Sequence, residues 1–398
     1  MSIASPPMLE GPSASPGLSA STQLQTDQDI RPAAAARRIG GFDIARALAI
    51  FAMIVSNFKL PVVGLTPVSG WLAVATRAIE GKGAALFVIL AGIGLSLFAR
   101  RARHSGDPFE QVRIRTTIFK RAAFLFVIGL AWAPLWPADI LHFYGFYLTV
   151  GAIFLFWPAK RLWLGMAVFL LGFLGMQLLF EYQQGWHLAT LTYTDFWTWR
   201  GMLRHFFFNG FHPVFPWTAY ALLGIWLGRL DWQSPTIRRR AALVGIVLLG
   251  GSWLVSKSAM WLAAYFGGLS AQQSIGDFVG TGPMPPSLVY MLTGTGSSLL
   301  IIAGCVALYD WLQARGRHSW LLPLVWTGQQ SFEKFQRAWN FFIFFLKKIR
   351  IIPGSCANFI SIPHAGINKT KMGIVFYLLA HGPLGGFLAI ALGVFPLH

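Results

Sequence analysis

Two short motifs carry the side chains best able to move a proton. In Asp139-Ile140-Leu141-His142 a carboxylate and an imidazole stand three residues apart, and in Asn209-Gly210-Phe211-His212 an amide and an imidazole share that spacing. Residues three apart on a helix lie on one face, so Asp139 can hold one nitrogen of His142 and leave the other to act as a general base. His212 could take that role instead. A histidine so placed can draw the proton from a hydroxyl or an amine as it attacks a thioester. Asn57 or Asn209 could then donate hydrogen bonds to the oxyanion that forms. The plainer reading is that polar residues gather at helix ends, where water is near and an Asp favours the helix dipole.

A third set lies earlier in the chain. Asp43, Arg46, Ile50, Met53 and Asn57 follow one another at steps of three or four residues. That spacing puts the two charges and the amide on one face of an otherwise apolar helix. A charge at mid-membrane costs ~2.5–3.5 kcal/mol even on the lower scales, so this face is expected to avoid lipid. Asp43 and Arg46 are expected to pair, or to sit at the interface against other helices. Asp43 could instead cap the helix behind the basic flank Arg37-Arg38. The residues expected to contact a substrate are therefore Asn57, Asn209, Asp43 and Arg46, with His142, His212 and Asp139 as the catalytic set.

The elements that must hold these residues are membrane helices. Of 398 residues, 55% are apolar and only 12% charged, a balance foreign to ordinary soluble domains. The expected fold is all-α, a polytopic transmembrane bundle of about ten spans with the lipid bilayer as its principal partner. A net charge of +18 would suggest nucleic acid in a soluble chain. Here the basic residues cluster between apolar runs, so topology accounts for them and no nucleic-acid groove is expected. Cys305 and Cys356 form neither a disulfide framework nor metal-ligand spacing. No Walker loop, Rossmann fingerprint, HExxH or GxSxG frames a soluble catalytic domain, and neither a metal nor a bound cofactor is expected.

In chain order, residues 1–36, rich in Ser, Pro, Gln and Ala, read as a disordered cytosolic tail. Residues 37–331 read as the transmembrane domain. After the first span, residues 59–82 read as a loop with a short interfacial helix at 71–79. The most basic loop runs from Arg100-Arg101-Ala102-Arg103 to Arg121, and the positive-inside bias puts it in the cytosol, the N-terminus with it. Spans at 84–98, 122–136, 139–157, 162–180, 206–227, 241–262 and 288–312 then alternate consistently, with the turn Pro137-Ala138 and loops at 181–205 and 267–287 outside. Pro213 and Pro216 imply a kinked or late-starting sixth helix, and Gly224 with Gly228 suits close helix packing. By this count Asn57, Asp139, His142, Asn209 and His212 reach one membrane depth near the outer face. His187, His205, His318, His364 and His381 look scattered. Lysine occurs five times before Phe332 and five times in the 67 residues from there on, so the chain changes character. Residues 332–372 read as an atypical basic segment and 373–398 as a final transmembrane helix.

Four stretches together resemble a known family: Gly41-Phe42-Asp43-Ile44-Ala45-Arg46 with Asn57, Leu86-Phe87-Val88-Ile89-Leu90-Ala91-Gly92, Asp139-Ile140-Leu141-His142-Phe143-Tyr144, and Asn209 through Trp217. They resemble the YeiB-like family of bacterial inner-membrane proteins. More distantly, the first and last are similar to the heparan-alpha-glucosaminide N-acetyltransferase-like membrane proteins. The first resemblance implies a multi-pass protein of the bacterial inner (plasma) membrane. The second implies transfer of an acyl group from a cytosolic thioester, with acyl-CoA as donor substrate, to a saccharide or lipid-linked acceptor at the outer face, and makes His142 or His212 the acid–base group. Thr327-Gly328-Gln329 fits the resemblance, whereas the sequence after Ser331 departs from it. Two rival readings are a transporter or exporter of a small amphipathic solute and a non-catalytic assembly partner. The first would place Asp43 and Arg46 along a translocation path.

Overall fold

The computed structural model describes residues 39–63, 70, 79–133, 139–187 and 192–329. The expected tail at 1–36, the Pro137-Ala138 turn, the segment 332–372, the last span at 373–398 and nearly all of the short helix at 71–79 lie outside the described residues.

The described residues form eleven α-helices. They are α1 Gly40–Val63, α2 Lys82–Phe98, α3 Arg100–Ser105, α4 Pro108–Trp132, α5 Leu141–Phe154, α6 Ala159–Leu179, α7 Trp199–Arg204, α8 Val214–Leu227, α9 Pro235–Val279, α10 Leu288–Ala314 and α11 Leu322–Gln329. A two-residue hairpin, β1 Trp186–His187 against β2 Thr192–Tyr193, interrupts them. The all-α class therefore holds. The count of about ten spans is not reached among the described residues: α1, α6, α9 and α10 are long and apolar enough to cross a membrane, and α2, α5 and α8 are apolar but shorter.

The short helices are the enclosed ones. A β-carbon added at Gly92 of α2 would lie 2.2 Å from the Ala221 carbonyl oxygen, and one at Gly224 of α8 would lie 2.1 Å from that of Ile89. The two backbones touch at a level only glycine permits. Around this seam pack Ile44 and Ala49 of α1, Phe143 and Tyr147 of α5, Trp217 and Leu222 of α8, and Ile302 of α10, all buried. At the periphery, α6 and α9 leave large apolar side chains bare, among them Leu164, Leu171, Val247 and Leu254. Apolar faces turned outward beside a filled core are what a lipid-solvated bundle presents.

Local chemistry fixes several boundaries. Asp107 caps α4 by accepting from the Phe109 amide at 2.9 Å, with Pro108 in the first turn. Ser287 caps α10 by accepting from the Tyr290 amide at 3.1 Å. The loop expected at 267–287 is smaller than the sequence suggests. Gly268 takes φ 68°, which breaks α9, and the chain resumes helix to Val279. The sixth span starts late: a π-helical turn, His205–Asn209, precedes the break at 210–213, and Phe215 leaves helical geometry once more.

Contacts define two ends of the bundle. At one, Phe42 meets Trp232 with ring centroids 5.9 Å apart, and Arg238 pairs with Asp310 at 2.5 Å. This is the basic end. At the other, Tyr290 donates to the Gly81 carbonyl at 3.0 Å and Gln177 to the Asp277 carbonyl at 2.7 Å. This is the hairpin end.

Candidate functional site

Asp139 stands just before α5 and does three things there. Its Oδ2 accepts from the Leu141 amide at 3.1 Å and the His142 amide at 3.4 Å, and lies 2.9 Å from Nδ1 of His142. The carboxylate thus caps the helix and orients the imidazole with one oxygen. Both side chains are buried, at 5% and 3% exposure. An ionised carboxylate only accepts, so facing one, Nδ1 is the donor, and in the neutral ring Nε2 then keeps the lone pair. Among the described residues Nε2 is buried and has no hydrogen-bond partner.

Two more imidazoles surround Phe143. The His205 ring lies 6.3 Å from that of His142 and 5.7 Å from that of Phe143, while His212 lies 6.3 Å from Phe143. Trp217, fully buried, meets His212 edge-on at 4.7 Å. Nδ1 of His205, Nδ1 of His212 and Nε1 of Trp217 are, like Nε2 of His142, buried without partners among the described residues. An unsatisfied buried polar group costs ~1–3 kcal/mol, so three imidazoles around one ring, with the Trp217 indole against His212, make a locus that favours a hydrogen-bonding ligand or water. The described residues hold no group of three or more His, Cys, Asp or Glu arranged to bind a metal ion.

The hairpin sets where the π-helical turn sits. Arg204 donates from one nitrogen to both Asp195 oxygens, at 2.7 and 2.6 Å, and from Nε to the Tyr193 hydroxyl at 2.7 Å. Tyr193 in turn donates to Oδ1 of Asn209 at 2.8 Å, and Nδ2 of Asn209 donates to the carbonyls of Tyr182 and Gln184, each at 2.8 Å. Trp186 donates to the Asn209 carbonyl at 2.6 Å. Asn209 is wholly buried, and both its amide hydrogens go to backbone carbonyls. This geometry ties the turn to the hairpin and leaves no hydrogen for an oxyanion. His212 is held through its backbone, whose carbonyl accepts from the Tyr147 hydroxyl at 2.5 Å.

Asp43 and Arg46 lie at the other end. Arg46 donates to Asp43 Oδ1 and to the Gly328 carbonyl, both at 3.2 Å. A β-carbon at Gly328 would sit 1.9 Å from the Asp43 carbonyl oxygen, so α11 is pressed against α1 at this pair. Asn57 belongs to the hairpin end: Gly83 meets α1 at Ala49, Ala52 and Met53, about one turn before it. No hydrogen bond among the described residues joins Asn57 to His142 or His212.

His205 carried no expectation from sequence. The available signal was its spacing with Asn209 and His212, four and then three residues, which marks one helical face. Pro213 obscured it.

A helical bundle with bare apolar flanks defines an integral membrane protein, and this one holds a buried carboxylate–imidazole pair at one end. The family model described as heparan-alpha-glucosaminide N-acetyltransferase, catalytic, matches residues 38–250, more than half of the chain, and the chain belongs to that family. It is a membrane acyltransferase-like protein, and the match spans the stretch from Asp43 to Trp217. Of the two resemblances drawn from the motifs, this is the one supported. No curated protein matches the chain, and no solved structure does.

Proposed function

We propose that the protein transfers an acyl group from a thioester such as acyl-CoA to a hydroxyl or amine of a saccharide or lipid-linked acceptor, with His142 as general base. The single observation that carries this is the Asp139 Oδ2 to His142 Nδ1 contact at 2.9 Å, with Nε2 buried and unpartnered. Nε2 takes the proton of the acceptor as its oxygen or nitrogen bonds to the thioester carbon. The tetrahedral centre then expels the thiolate, which receives that proton. Among the described residues His212 has no carboxylate beside it, which favours His142 for this role. Charge bias favours the basic end, with Arg100–Arg103 and Arg238–Arg240, facing the cytosol of a bacterial inner membrane and the histidines near the outer face.

The test is transfer of labelled acyl groups from acyl-CoA in membranes carrying His142→Gln or His212→Gln. His142→Gln should lower the rate by ~10²-fold or more, and His212→Gln by much less. An unchanged rate in His142→Gln rejects the mechanism.

A further inference from the structure

Some arginines of the described chain are paired with a carboxylate, and two at the basic end are held in another way. Arg46, Arg113, Arg204 and Arg238 each have a carboxylate at ion-pair distance, 3.2, 3.7, 2.6 and 2.5 Å away. Arg103 and Arg229, both half-buried at the basic end, have none among the described residues. Arg103 donates to Ser96 Oγ at 3.2 Å, and Arg229 donates to the carbonyls of Leu155 at 3.1 Å and Trp157 at 2.8 Å. The anchor of Arg103 adjoins the backbone that carries Arg229, because a β-carbon on Gly228 would lie 2.6 Å from that of Ser96. Burial lowers the pKa of both, and the cations lower it further: Arg100 acts on Arg103, and Arg103 on Arg229. Two more cations flank the turn between α5 and α6, Arg115 over the Phe156 ring at 5.1 Å and Arg161 over that of Trp157 at 5.4 Å.

The Leu155 and Trp157 carbonyls, just past α5, offset these charges only as partial dipoles, so mutual repulsion in a poorly solvated place persists. A full negative charge would relieve it. A guanidinium anchored by one edge keeps further N–H groups in the planar fork that matches phosphate. From this turn α6 leads away with Leu164, Val168 and Leu171 at 65%, 54% and 62% exposure, one helical face of bare hydrocarbon directly after the basic cluster. Phosphate-binding groups continuous with an apolar track fit one class of molecule. We propose that Arg103 and Arg229, flanked by Arg115 and Arg161, bind the phosphate headgroup of an anionic phospholipid whose chains lie along α6.

The test uses the full chain purified in detergent. Native mass spectrometry should find one retained anionic phospholipid, and adding phosphatidylglycerol to delipidated protein should raise Tm by ~2–4 °C where phosphatidylcholine does not. R103Q/R229Q should at least halve that shift, while R101Q, which removes an equal charge from an exposed neighbour, should keep it. Equal response to the two lipids, a full shift in R103Q/R229Q, or loss of the shift in R101Q overturns the site. Inorganic pyrophosphate reproducing the shift without lipid would assign the arginines to a soluble phosphate and overturn the lipid. If R103Q/R229Q does not fold, wild-type protein retaining no anionic lipid still refutes the proposal.

Discussion

The imidazole of His205 lies nearly parallel to that of His142, with 24° between the planes and 6.3 Å between centroids. One ring is fixed by a carboxylate at the start of α5. The other rides on a π-helical turn tied to the hairpin. Their relation depends on two separate anchors, and each can be cut without touching the other.

His205 lies in the segment between α6 and α8, outside the spans. Burial, with the nearby His142, His212 and Arg204, pulls its pKa down from 6.5 to about 3. Between those values the unfolded chain binds a proton that the folded chain refuses. This contribution to stability is therefore complete above pH 6.5 and is lost as pH falls toward 3, at up to ~1.4 kcal/mol per pH unit. Tm measured in detergent should drop between pH 7 and 5, and His205→Gln should flatten the drop. An identical slope in the variant would show that the unfolding does not depend on this ring.

Asp139→Asn tests the other anchor. An amide can still accept at the helix start, but it can also present N–H to Nδ1, which moves the imidazole proton to Nε2 and removes the base. Acyl transfer should fall by ~10²-fold or more while Tm changes little. A rate within threefold of wild type would remove Asp139 from the reaction.

How far the sequence disclosed this arrangement depended on range. Asp139 and His142 sit three residues apart, so helical geometry alone put them on one face, and α5 carries them so. Asp43 and Arg46 paired for the same reason. His205 could not be joined to His142 in this way, because the partner lies on another element and the turn that presents it is not α-helical. Asn209 looked like a free amide because its acceptors, the carbonyls of Tyr182 and Gln184, are backbone groups of a loop without a distinctive pattern. Helix lengths were misjudged where glycine acts. Gly268 was read as part of a loop at 267–287, yet it breaks α9 and lets it resume. Gly92 and Gly224 bring α2 and α8 together inside the protein, where a helix need not match the membrane thickness.

Asn209→Ala should act on structure before chemistry. It deletes two donors to backbone carbonyls and the acceptor for Tyr193, all buried or half-buried. A loss of ~1–3 kcal/mol is expected. Proteolysis of native protein should then cut first within 181–209. A variant with wild-type Tm and the same cleavage pattern would show that the hairpin does not need this amide.

Arg46 separates a structural lock from a translocation path. Its guanidinium joins Asp43 to the carbonyl of Gly328, and Asp43 itself is 4% exposed. Removing the cation alone takes one charged partner from a buried carboxylate, whereas removing both groups removes the buried charge as well. Arg46→Leu should therefore lower stability by ~1–3 kcal/mol, and the double variant Asp43→Leu with Arg46→Leu should recover at least half of the loss. Thermal unfolding of the two single variants and the double variant completes the cycle. Additive losses would mean that the two residues act independently, and a solute flux in proteoliposomes abolished by Arg46→Leu at unchanged Tm would favour a path over a lock.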